Sequence, residues 1–198
     1  MKVETMIIRR AGAWLALLLL SACFYETPAD VIGPAEGVRV ESVSDGHYLP
    51  ADDIYPSLDL AWDGAERAYS VTETLQNGET AAYMVRIAPL ANGFYLLQTE
   101  QEDEPIRLFI ARASKSGFTL FEVANTEAET WIAVQNDAIL SPHRAAHAPK
   151  ADSMTESSEE NDDTPPQLSG PPANIRKFLA ALASSAAIKP AVEYRRAD

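Results

Sequence analysis

The sequence predicts a mainly β fold: a small antiparallel meander, either a curled sheet or half-barrel or a small barrel. A short helix should follow it, and an amphipathic helix should lie near the C-terminus. Three observations carry this. Short apolar/polar alternations recur from Val38 to about Asn125. Gly-, Asn- and Asp-containing turns separate them at hairpin spacing. An apolar stripe of helical period appears only later, beyond an acidic, proline-rich stretch.

Val38-Arg-Val40-Glu-Ser-Val43 alternates over its first positions, and Leu58-Asp-Leu60-Ala-Trp62 alternates cleanly before the tight-turn dipeptide Asp63-Gly64. Ala65 to Thr74 carries Tyr69 and Val71 on one face. Gln76-Asn77-Gly78 is a second hairpin signal, and Tyr83-Met-Val85-Arg-Ile87 alternates again. Pro89 to Gly93 turns the chain into Phe94–Gln98, and an acidic loop, Glu100–Glu104, leads to Ile106–Arg112. Lys115-Ser-Gly117 closes a turn before Phe118–Val123. Connections this short make sequence neighbours pair in space. The aromatic set Tyr69, Tyr83, Phe94, Tyr95, Phe109, Phe118 and Phe121 recurs along these strands. It would either fill a core or line a ligand-holding cup.

Thr126 and Glu129 have capping-box spacing, so a helix over Glu127–Asp137 is expected, with Ala128, Trp131, Ile132 and Gln135 on one face and Trp131 covering the sheet; a strand over Thr130–Val134 is the alternative. Residues 148–174 hold a run of Ser, Glu and Asp and two Pro-Pro pairs, with no basic residue between Lys150 and Arg176. Such a composition buries too little to offset ordering entropy and reads as a disordered linker. Its acidic run could recruit a basic partner or Ca²⁺, but a solvated spacer is the simpler reading. Beyond it, Ile175, Phe178, Leu179, Leu182 and Ala186 form one helical face, with Asn174 as cap and Lys189-Pro190 as stop. An isolated helix of this length is marginal in water, so the stripe should dock. Its seat is either its own β body or the groove of an envelope partner.

The chain has 198 residues and a formal charge of −13, with Lys+Arg 16 against Asp+Glu 29. Acidity of this degree argues against a nucleic-acid partner, because phosphate affinity comes from clustered Lys and Arg. One cysteine excludes an internal disulfide framework and any multi-cysteine zinc site.

The N-terminus has Lys2, Arg9 and Arg10 ahead of the apolar run Ala11–Leu20, the layout of a secretory signal and too short to span a bilayer. It ends in Leu20-Ser21-Ala22-Cys23. Here the sequence resembles the bacterial lipoproteins, whose lipobox is a Leu, two small residues and a Cys. The resemblance covers residues 1–23 only. It implies cleavage between Ala22 and Cys23, acylation of the Cys23 thiol, and a membrane-held protein. An ordinary signal with Cys23 as a small buried hydrophobe is the alternative. By analogy with enteric lipoproteins, Phe24 after the Cys points to the periplasmic face of the outer membrane. Residues 1–22 carry three basic groups against Glu4, so the chain from Cys23 onward holds −15, and lipid rather than charge must anchor it. The expected organisation is therefore a signal over 1–22, a tether over 23–36, a β domain over 37–147, the linker over 148–174, and a helix and tail over 175–198.

Catalytic motifs are scarce. His143-Arg-Ala-Ala-His147 has i, i+4 spacing but lacks the Glu of the zinc-peptidase motif and sits between prolines, so no metal is assigned. His47 reads as part of a turn; Asp52-Asp53 and Asp59 could form paired acids, but the adjacent Asp52-Asp53 in a loop read more simply as solvated carboxylates. There is no nucleophile elbow, phosphate loop or EF-hand spacing. No catalytic residue and no cofactor is assigned. The leading expectation is a lipid-anchored, non-enzymatic binding or assembly module. A β cup for a small molecule or lipid is the alternative, and an envelope hydrolase is the most distant reading.

Overall fold

The computed structural model describes residues 24–101, 104–141 and 165–197. Eleven strands and two helices occur among these residues. The first strands are β1 (Phe24–Thr27), β2 (Gly46–Pro50), β3 (Ser57–Asp63), β4 (Ala68–Thr74) and β5 (Thr80–Pro89). Then come β6 (Phe94–Glu100), β7 (Ile106–Ala113), β8 (Gly117–Val123) and helix α1 (Thr126–Gln135). The two-residue strands β9 (Ile139–Leu140) and β10 (Leu168–Ser169), helix α2 (Pro172–Ala183) and β11 (Ile188–Arg196) complete the order.

Strands β2 to β8 form a continuous antiparallel meander, as hairpin spacing requires. The sheet does not stay open. β11 enters between β2 and β8, pairing Tyr194 with Pro50 on one side and Val192 with Leu120 on the other. β7 then meets β8 through Ile110–Ala113. The sheet is thus a closed barrel of eight strands rather than a half-barrel, and closure removes the open edges a curled sheet would leave. The closing strand comes from the part of the chain expected to be a tail. Its alternation is plain, with Val192 and Tyr194 buried, but Pro190 masks it, sitting at a register shift against β8. Gly117 belongs to this closure as well: a Cβ there would lie 1.9 Å from the Tyr194 carbonyl oxygen.

The other half of β7 takes β1. Phe24 lies opposite Phe109 and Thr27 opposite Ile106, so β1 fills the wall where β7 and β8 diverge. The tether expected over 23–36 is therefore packed structure from Phe24 onward. Val31 and Ile32 are buried as well, held by their backbone amides, each 2.8 Å from Oε1 of the buried Gln98. Two buried amides need an acceptor, and a single side-chain amide supplies it.

Val38–Val43 is not a strand. It loops across the barrel end where β4 starts and β5 finishes, with Val38 N–H donating to the Ile87 carbonyl at 2.9 Å. Val40 and Val43 are buried there, and the Tyr69 hydroxyl bonds the backbone at both. The β3–β4 turn also differs from the simple dipeptide reading. Asp63 Oδ1 accepts from the Ala65 and Glu66 amides, and Arg67, not Gly64, takes positive φ.

Two apolar cores result. One is the barrel interior; the other lies between the outer face of β6 and β7 and the two helices. Helix α2 is in the second, with Ile175, Phe178, Leu179 and Leu182 buried, so the stripe is covered by its own barrel. Each such side chain contributes roughly 1.5–3 kcal/mol of burial. The helix starts with Pro172 at its first turn rather than after an Asn174 cap. It ends at Ser184, well before Lys189-Pro190, which belong to β11, and Ala186 lies beyond it, exposed. Residues 165–174, the end of the expected linker, are ordered: Gln167 bridges Glu26, and Leu168 in β10 is fully buried. Residues 148–164 lie outside the described residues.

Helix α1 starts at Asn125, whose side chain caps Ala128 N–H, instead of Thr126. Its buried face carries Glu129 and Ala133, and Trp131 is 64% exposed, so Trp131 covers no part of the sheet. The buried face is turned one position from the expected one, because Glu129, a buried acid, takes the place that apolar periodicity assigns to an aromatic residue.

Candidate functional site

Residues alternate in and out along each strand of a barrel. Tyr69, Val71 and Glu73 point inward from β4, as do Tyr83, Val85 and Ile87 from β5. Tyr95, Leu97 and Thr99 on β6, Phe109 and Ala111 on β7, Phe118 and Leu120 on β8, and Tyr194 on β11 complete the wall. Phe118 stacks on Tyr194 with centroids 5.0 Å apart, and Trp62 meets Tyr69 edge-on at the same separation. These rings do not fill the barrel. A cavity of about 90 Å³ remains, and Glu73 and Thr99 are the non-aromatic polar side chains among its lining residues. Eight strands make an interior just wide enough either to fill or to hold one small ligand, and this one is left partly open.

Glu73 is 3% exposed and forms no hydrogen bond or ion pair with any described residue; its carboxyl oxygens are open to the cavity, whereas the sealed side-chain atoms without a partner among the described residues are Arg86 Nε and Arg107 Nε. Burial pushes its carboxyl above the ordinary carboxylate range, partly offset by Arg107. Tyr83 on β5, paired with Val71 and two residues along from Ala81, the partner of Glu73, has its hydroxyl pushed far up, first by burial and then by the Glu73 carboxyl. A buried carboxyl without a partner is costly, so each one in a native fold calls for an explanation.

The strand directions place Glu73 near the barrel end away from Val40 and Val43. The same end holds the finish of β6 and β1 and the start of β7. Arg107 there lies 3.8 Å from Glu26 and 3.5 Å from Glu104, with its guanidinium 5.3 Å from the Phe24 ring centre. Glu26 is pushed up by burial, partly offset by Arg107. Arg86 pairs with Glu100 on the outer face. Among the described residues the Glu73 end of the barrel therefore carries Glu26 and Glu104 beside Arg107, and the Glu100–Arg86 pair.

A second space of about 180 Å³ lies outside the barrel between β1, the end of β8 and α1. Tyr25 donates to Glu129 there, and both are buried; burial and then Glu129 push the tyrosine hydroxyl far up. This space reaches Pro166, at the edge of the described residues.

Of the residues singled out in the sequence, His47 is on β2 rather than in a turn, and its Nδ1 is 3.0 Å from Asp59 Oδ1 in an exposed cross-strand pair. Asp52 accepts from Ile54 N–H in an exposed turn, and Asp53 is exposed beside it. No group of three or more potential ligands for a metal occurs among the described residues. Ala22, Cys23, His143 and His147 lie outside them. Among the described residues no helix is long and apolar enough to cross a membrane. Glu73 was not singled out, although the alternation Tyr69, Val71, Glu73 places it on the inward face.

Fold and site together define a closed antiparallel barrel with a small, largely apolar interior and one buried unpaired acid. No protein-family model, curated protein or solved structure matches the chain.

Proposed function

We propose that this protein is a membrane-anchored β cup that binds a small, mainly apolar molecule inside its barrel and catalyses no reaction on it. The observation that carries the reading is the unfilled space of about 90 Å³, walled by tyrosine, phenylalanine and aliphatic side chains. Interiors are ordinarily packed to the density of organic crystals, so a retained void in a barrel is an exception. An engineered apolar cavity of about 150 Å³ takes benzene or xenon, so this space suits a smaller molecule or the end of a longer one. The anchoring half of the reading rests on Leu20-Ser21-Ala22-Cys23, with acylated Cys23 holding the domain to the periplasmic face of the outer membrane.

Xenon tests the cup directly. Under xenon pressure, amide and methyl resonances of Val85, Ala111 and Leu120 should shift saturably in NMR spectra. Ala111→Leu, which extends into the space, should abolish those shifts while keeping a dispersed spectrum. Saturable shifts absent from the folded parent protein would overturn the reading.

A further inference from the structure

We infer that the barrel takes a small apolar amine, with its ammonium on Glu73 and its hydrocarbon among the rings of the cavity. The inference rests on the cup reading and gives its ligand a charge.

Three observations carry it. Glu73 is more than nine-tenths buried, lines the cavity, and forms no hydrogen bond or ion pair with any described residue. A carboxylate in that position lacks a donor, and a protonated amine supplies one with the opposite charge. Tyr83 and the other tyrosines and phenylalanines of the wall supply aromatic rings, whose faces attract cations. Finally, among the described residues the Glu73 end of the barrel carries Glu26, Glu100 and Glu104 as well, beside Arg107 and Arg86, on a chain whose formal charge is −13. The local field therefore favours a cation over an anion.

Arg107 is the group that could argue for an acid ligand instead. It is not among the cavity-lining residues; its guanidinium lies against Glu26, Glu104 and the Phe24 ring, although its buried Nε has no hydrogen-bond partner among the described residues. The groups facing Glu73 electrostatically are Arg107 and Tyr83, and Tyr194 in turn faces Tyr83. Of these only Arg107 is a cation at neutral pH. An arriving ammonium would stabilise the ionised form of Glu73, so binding should weaken as the solution is acidified through the carboxyl's own titration.

The test compares n-butylamine, n-butanol and butyrate, three ligands of similar size and different charge, by NMR titration at neutral pH. The amine should bind about tenfold more tightly than the alcohol, and butyrate most weakly. Glu73→Gln should erase the preference for the amine while keeping the alcohol, which also shows that the cavity survives the substitution. In carboxyl-labelled protein, adding the amine should lower the Glu73 titration midpoint. Equal binding of amine and alcohol, or preference for butyrate, would overturn the amine inference and leave the cup intact. Failure of all three ligands together with xenon would remove both.

Discussion

Glu73 has a measurable cost even without ligand. Its carboxyl sits above the ordinary range because burial disfavours the charged form. The folded chain thus keeps a proton that the unfolded chain has already released. Stability is therefore highest below the unfolded carboxyl's pKa, falls as pH rises through the folded one, and stays lowered beyond it. Glu73→Gln removes that loss. We expect the variant to be more stable than the parent by about 1–3 kcal/mol at neutral pH, with the gap closing toward about pH 4. Urea denaturation across that range would read it. A constant gap would mean that Glu73 titrates as it does in the unfolded chain. The residue was legible in principle, since Tyr69, Val71 and Glu73 share one strand face. It was passed over because acids on strands ordinarily face water. Gln98 escaped notice for a similar reason: its worth lies in the distant Val31 and Ile32 amides, which no local pattern announces.

At the scale of elements, the meander from β3 to β8 could be read from alternation and turns because its pairings are local. What could not be read were the pairings distant in sequence. β1 looked like a tether because four residues, Phe24–Thr27, are too few to show a period and prolines follow at once. β11 looked like a tail because Pro190 stops a helix and weakens a strand equally well. It is nonetheless the element that closes the sheet, with seven residues in register against β8 and three against β2. Removing residues 188–198 should therefore do more than shorten a terminus. We expect loss of cooperative thermal unfolding and concentration-dependent association, because β2 and β8 would each expose an unpaired edge. Sedimentation of the truncated chain reads this, and a monomer with a sharp transition would show that the barrel closes without β11. Helix α2 was visible from its stripe, and the question left open, its own barrel or a foreign groove, is answered by Phe178, Leu179 and Leu182 lying fully buried within this chain.

For the whole molecule, the first and last strands both enter the sheet, so the expected separation into tether, β domain, linker and tail gives way to one body. The boundary at residue 174 fails for that reason, since α2 and β11 are integral to the barrel and its outer core. The anchoring expectation concerns residues before this body begins, and it has its own test. Cys23→Ala should release the protein from the membrane fraction and abolish incorporation of labelled fatty acid; retained label would refute acylation at that position. If the anchor is there, the packing of β1 has a mechanical consequence. No slack separates position 23 from the barrel wall, so any pull between membrane and protein enters the fold at Phe24. β1 is held to β7 by four residue pairs, whereas β6 and β7 share six. Under load, β1 would peel away first and leave the eight-stranded barrel closed behind it. The strand then serves as a release element, letting out chain before force reaches the cavity.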